Sequence, residues 1–285
     1  MIQAAPDREA FVETLPVNTL AEGLLFPEGP AFDRSGALWL VELKGGRLTR
    51  WTQDGLQRHD IGGGPNGSAV DAQGRVFFTD SADRCLRRFD PATCDTTTIT
   101  CELGNEPLNK PNDLAFDKQR NLVFTCPGES RHEPTGYVAV LTHEVAVRKV
   151  AESLYFPNGL AFTPDGEELI VAETYRQRLW RGRWEAETGR WLDPRVWATG
   201  LDGPPGPDGM AFAADGTLFV AVYGSGSVAH IDQDGAIMAR YALPGRNPTN
   251  CAFDPSGELG LVVTEAEHGR LLSLPDLGPG APLFT

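Results

Sequence analysis

Six residues offer a side-chain oxygen at one recurring place in the chain: Glu28, Asn66, Asn112, Asn158, Asp208 and Thr249. Each lies four residues before an anchor, respectively Phe32, Val70, Phe116, Phe162, Phe212 and Phe253. Two carboxylates, three amides and a hydroxyl are hard oxygen donors, suited to calcium, magnesium or manganese. Asn or Asp before Gly is also ordinary turn chemistry, and that suffices for Asn158 taken alone. It does not explain Glu in one copy and Thr in another, so the set as a whole points to a ring of donors around a cation. Tyr175, Tyr223, His132 and His268 fall on loops expected at the same end, where packing or surface roles compete with contact to a bound molecule.

The elements that must hold such a ring are visible in the repeat. Phe156 to Thr174 reads as loop, short strand, tight turn and second strand, with Asp165-Gly166 supplying the turn. The anchors recur at spacings of 38, 46, 46, 50 and 41 residues. A period of this length with four strand signals per unit predicts a β-propeller, and six units predict six blades. Helical solenoids share the period but need apolar spacings of 3 and 4, which are absent. The expected fold is all-β: one six-bladed β-propeller domain over residues 1–285, its blades four-stranded and antiparallel. In such a fold the loops entering the innermost strands meet at the mouth of the central channel. The last repeat lacks a fourth strand, so the strand at residues 17–22 is expected to pair with 270–274 and close the ring. Residues 1–16 read as irregular. In the third unit Gln119-Arg120 replaces the turn glycine of the others.

Bulk properties exclude several classes. A net charge of −14 argues against nucleic acid and anionic membranes as partners. There is no apolar run long enough to span a bilayer, and Met1 to Glu13 does not read as a secretory signal. The five cysteines (85, 94, 101, 126, 251) form no CxxC, and free thiols in a reducing, cytoplasmic compartment are the expectation. The cysteines fall mostly within strand signals and read as core or surface thiols, with Cys126, on a loop, the one candidate for a reactive thiol. No GxSxG, HExxH or GxGxxG-before-helix pattern occurs, and the histidines at 59, 132, 143, 230 and 268 have no ligand spacing.

The loops FPEGPAF, KPNDLAF, FPNGLAF and GPDGMAF resemble the signature loops of the SMP-30/gluconolactonase/luciferin-regenerating family over nearly the whole chain. The resemblance implies a six-bladed propeller with one divalent metal at the channel mouth, calcium first, with magnesium, manganese, zinc or iron(II) as alternatives. It implies Glu28, Asn112, Asn158 and Asp208 as metal ligands and Asp208 as general base. The implied reaction is opening of a small-molecule lactone, a sugar lactone such as gluconolactone, with substrate contacts from Asn66, Lys110, Asn112 and Thr249. Lys110 stands where family members often carry Arg, and Cys126 stands where many have Asp. A phosphotriesterase-type hydrolase on the same site and a non-catalytic ligand-binding propeller are the alternatives.

Overall fold

Inner strands such as Pro27–Phe32 and Pro248–Phe253 are buried along their whole length, which explains their near-continuous apolar and small-residue sequence. Outer strands such as Gly55–Asp60 and Asp95–Thr100 are largely exposed and correspondingly polar. The computed structural model describes residues 11–142 and 146–285; residues 1–10 and 143–145, which include His143, lie outside the described residues.

Each repeat forms one antiparallel sheet of four strands, and six such sheets make a β-propeller. Blade 1 runs through Pro27–Phe32, Leu38–Glu42, Arg47–Thr52 and Gly55–Asp60; blades 2 to 5 repeat this order outward from the axis. Neighbouring inner strands contact one another around the whole circle, from blade 1 to blade 6 and back to blade 1. Blade 6 takes three strands from Pro248–Leu274 and its outermost from Asn18–Ala21. The closing register is Asn18 with Ser273, Thr19 with Leu272 and Ala21 with Leu271, as the missing fourth strand predicts. No helix among the described residues is long and apolar enough to cross a membrane.

The core lies between blades. Ile170, Leu179 and Ala172 of blade 4 pack with Met210, Val220 and Val222 of blade 5, and equivalent clusters join the other neighbours. The turns between first and second strands of blades 1, 2, 3 and 6 are fixed by an aspartate at their start. Asp71 accepts from the N–H groups of Gln73 and Arg75, and Asp117 from those of Gln119 and Asn121. Arg120 keeps the left-handed conformation (φ 63°) that Gly74 adopts in blade 2 (φ 79°), so blade 3 keeps its turn without the glycine.

Three expectations are corrected. Phe11–Glu13, read as irregular, forms a fifth, parallel strand on blade 5. Cys85 and Cys101 are joined in a disulfide, because antiparallel pairing of Cys85–Asp90 with Asp95–Thr100 brings the two ends together. The premise of five free thiols, and with it the argument for a reducing compartment, therefore falls. Cys126 is not a loop thiol: it ends the second strand of blade 3, is fully buried, and burial pushes its thiol up to about 12, far from reactive.

Candidate metal and catalytic site

The ring residues sit where each inner strand begins, and backbone proximity sets their spacing. A Cβ on Gly159 would lie 2.2 Å from the Asp208 carbonyl oxygen, so only glycine lets blade 4 come so close to blade 5. Hydroxyls latch one blade to the next. Thr125 Oγ1 donates to the Asn158 carbonyl at 2.8 Å, Thr174 Oγ1 to the Pro207 carbonyl at 2.8 Å, and Thr249 Oγ1 to the Pro27 carbonyl at 2.7 Å. Each latch fixes the ring residue or its immediate neighbour on the next blade.

A second set of supports escaped the sequence reading. The second strands of blades 1, 2, 4 and 6 end in Glu42, Asp80, Glu173 and Glu265, all buried. Each carboxylate accepts from a backbone N–H in the loop that leads to a ring residue. Leu25 N–H reaches Glu42 at 2.8 Å, Gly64 N–H reaches Asp80 at 2.9 Å, and Tyr155 N–H reaches Glu173 at 2.7 Å. Arg58, Arg87 and Arg178 neutralise the first three. In blade 3 the equivalent position is Cys126, and there the Tyr137 hydroxyl takes the Asn109 N–H at 3.1 Å. In blade 5 it is Tyr223.

Within this frame Glu28, Asn66, Asn158 and Asp208 are buried and Asn112 is half-buried. The Asn158 amide hydrogen-bonds Asp208 and donates to Thr174 Oγ1 at 3.2 Å. Two further residues join them. Asp113 and Asn250 occupy, in opposite blades, the position that is glycine in the other four, and Asn250 Nδ2 donates to Asp113 Oδ2 at 3.3 Å across the axis. The signal was available: these are the two side chains in a register of glycines. Below them the anchor rings line a largely apolar cavity of about 140 Å³, to which residues 281–285 also contribute.

Glu28, Asp113 and Asp208 are three buried carboxylates in mutual repulsion. Burial raises Glu28 well above the usual carboxylate range, with Asp208 and Asp113 adding to it. Asp208 is raised by burial and by Asp113, and burial lifts Asp113 to about 7. None of the ion pairs among the described residues includes any of the three. Among the described residues no three His, Cys, Asp or Glu side chains form a metal-holding group by themselves. A cation here would therefore draw on amide oxygens as well as on carboxylates.

The remaining expected contacts are placed differently from one another. Thr249 is fully buried, its hydroxyl shared with the Pro27 carbonyl and Thr264 Oγ1. Lys110 pairs with Glu129 at the rim. Tyr175 and Tyr223 are half-buried at the mouth, whereas His132 and His268 are exposed.

Residues 26–267 match the SMP-30/Gluconolactonase/LRE-like region. The chain is 26% identical to the gluconolactonase of Zymomonas mobilis, over 89% of its own length and 80% of that enzyme's. It is 29% identical to the diisopropyl-fluorophosphatase of Loligo vulgaris, over 86% and 87%. A solved structure described as a calcium-binding protein, regucalcin, from Agrobacterium tumefaciens superposes with a TM-score of 0.84 at 26% identity, covering 97% of this chain and 99% of that one.

Proposed function

The chain belongs to the SMP-30/Gluconolactonase/LRE-like family, and from that membership and its buried carboxylates we propose that it is a metal-dependent hydrolase that opens lactones. The observation that carries the reading is the trio Glu28, Asp113 and Asp208, buried without a cationic side chain among the ion pairs of the described residues. Such a cluster is costly unless a cation balances it. Glu28, Asn112, Asn158 and Asp208 would hold a divalent cation, calcium first. Bound there, it supplies the charge that offsets the two carboxylates and favours negative charge on a carbonyl oxygen.

The chain's own groups supply the rest. Asp208 takes a proton from water as the water oxygen bonds to the lactone carbonyl carbon. The ring carbon–oxygen bond then breaks, and the departing alkoxide receives that proton, leaving an open hydroxy acid. Asn158, held by Thr174, keeps Asp208 oriented. Asn66 and Asn112 offer amides to the substrate, while Lys110 at the rim is paired with Glu129. The Loligo vulgaris relative, a fluorophosphatase by name, favours a second reading, phosphotriesterase-type hydrolysis at phosphorus on the same residues.

Asp208→Asn tests the assignment, because it keeps an oxygen donor but removes charge and basicity. Metal content should fall, and kcat for gluconolactone at saturating calcium should drop about 10²–10⁴-fold. Turnover near wild type contradicts the base assignment, and unchanged metal affinity contradicts the ligand assignment.

A further inference from the structure

Two residues before each ring residue, always ahead of a proline, lies an outer ring: Phe26, Gly64, Lys110, Phe156, Gly206 and Asn247. Phe26 and Phe156 have φ of 60° and 58°, a region bulky residues rarely adopt, and the following Pro27 and Pro157 narrow the backbone further. The loops are held there firmly. Glu42 takes the Leu25 N–H, and Leu43 N–H donates to the Phe26 carbonyl at 3.0 Å. Glu173 takes the Tyr155 N–H, Ser130 Oγ takes the Phe156 N–H at 2.8 Å, and Thr174 N–H donates to the Phe156 carbonyl. Lys110 shares the conformation in blade 3 (φ 52°), so the strain belongs to the loop, and what sets blades 1 and 4 apart is the aromatic ring that it presents.

Each strained ring faces a tyrosine. Phe26 and Tyr223 have centroids 6.5 Å apart, and Phe156 and Tyr175 5.4 Å apart. Lys44 lies 4.7 Å from the Phe26 ring centre and Arg131 5.7 Å from that of Phe156. All four aromatic rings are half-buried. Burial, and then the charges of Asp208 and Glu28, raise the Tyr223 hydroxyl, which lies in the electrostatic field of the site carboxylates. Several polar groups that could read sugar hydroxyls are meanwhile engaged. Thr249 is bonded internally, Lys110 to Glu129, and the Asn158 Nδ2 to Thr174. A site that selects a polyhydroxylated substrate needs such groups free.

We propose that Phe26, Tyr223, Phe156 and Tyr175 form a specificity clamp for lactones carrying a flat apolar group, such as aryl-fused lactones. The proposal rests on the lactonase reading for its chemistry and on the rings for its selectivity. Glycine at the equivalent places in blades 2 and 5 supplies the test: the double variant Phe26→Gly/Phe156→Gly removes both rings and relieves both backbones. kcat/KM is measured for dihydrocoumarin and for D-glucono-1,5-lactone, together with the melting temperature. The wild type should prefer dihydrocoumarin by at least about tenfold. The double variant should lose at least about tenfold of that ratio, mainly through KM, while still melting cooperatively at a temperature near wild type. A wild-type preference for gluconolactone overturns the proposal. So does an unchanged ratio in the variant, and a lowered melting temperature with that unchanged ratio assigns the rings to packing. If neither lactone is hydrolysed, the lactonase reading fails by itself, and calorimetry with chroman, the non-hydrolysable ring system, decides the clamp. Chroman binding that weakens about tenfold in the variant supports it; no chroman binding by the wild type overturns it.

Discussion

At the scale of single residues, the site is a problem of charge. Glu28, Asp208 and Asp113 are driven towards their protonated forms by burial and by one another. A carboxylate whose folded pKa is raised contributes stability that is full below its unfolded pKa and lost as pH climbs through the folded value. The chelator-treated protein should therefore lose melting temperature as pH rises from about 4 to about 7, the window set by Asp113. A rise from 3.8 to about 7 corresponds to roughly 4 kcal/mol, and Asp113→Asn should flatten the profile accordingly. Thermal melts across pH on both proteins check this; parallel profiles would contradict it. Glu28 and Asp208 were legible because their position repeats with changing chemistry. Asp113 was not, because its register is glycine in four blades and reads as turn chemistry. Asn250, its partner across the axis, was hidden in the same way.

At the scale of elements, the loops are held from behind. Glu42, Asp80, Glu173 and Glu265 each tie the end of a second strand to the loop entering an inner one. Glu173 also accepts from Arg178 and from Trp180 Nε1 at 2.7 Å. Glu173→Ala strands a backbone N–H, an indole N–H and a half-exposed guanidinium, which should cost about 2–3 kcal/mol in urea unfolding. A loss under about 0.5 kcal/mol, the scale of an ordinary surface change, would show that the brace is dispensable. Strands and turns were legible from alternation and from Asp-Gly chemistry; that Arg120 takes the left-handed conformation in place of the glycine was not. The braces were missed although acids at 42, 80, 173 and 265 share a place in the repeat, since a carboxylate at a strand end reads first as a solvated loop residue. The Cys85–Cys101 bond was missed because only strand register brings two cysteines so far apart in sequence together.

At the scale of the whole molecule, closure decides whether six blades act as one. The Asn18–Ala21 strand completes blade 6, and Leu15, Val17 and Leu20 pack on the cores beside it. Deleting residues 1–24 exposes that edge and removes apolar burial worth roughly 5 kcal/mol, comparable with the stability of a whole domain. The truncated chain should lose its cooperative melt, and a melt matching full length would mean that the ring closes without this strand. This closure was legible because the last repeat runs out of chain one strand short. The closed ring brings carboxylates from blades 1, 3 and 5 to one axis, and a lactone-opening metal centre there is the central claim. The most direct measurement is acid release from gluconolactone and dihydrocoumarin by protein treated with chelator, then resupplied with calcium. Hydrolysis of at least one lactone that is lost with chelator and restored by calcium is the predicted result. Turnover indifferent to chelator, or none with any divalent ion restored, would contradict it.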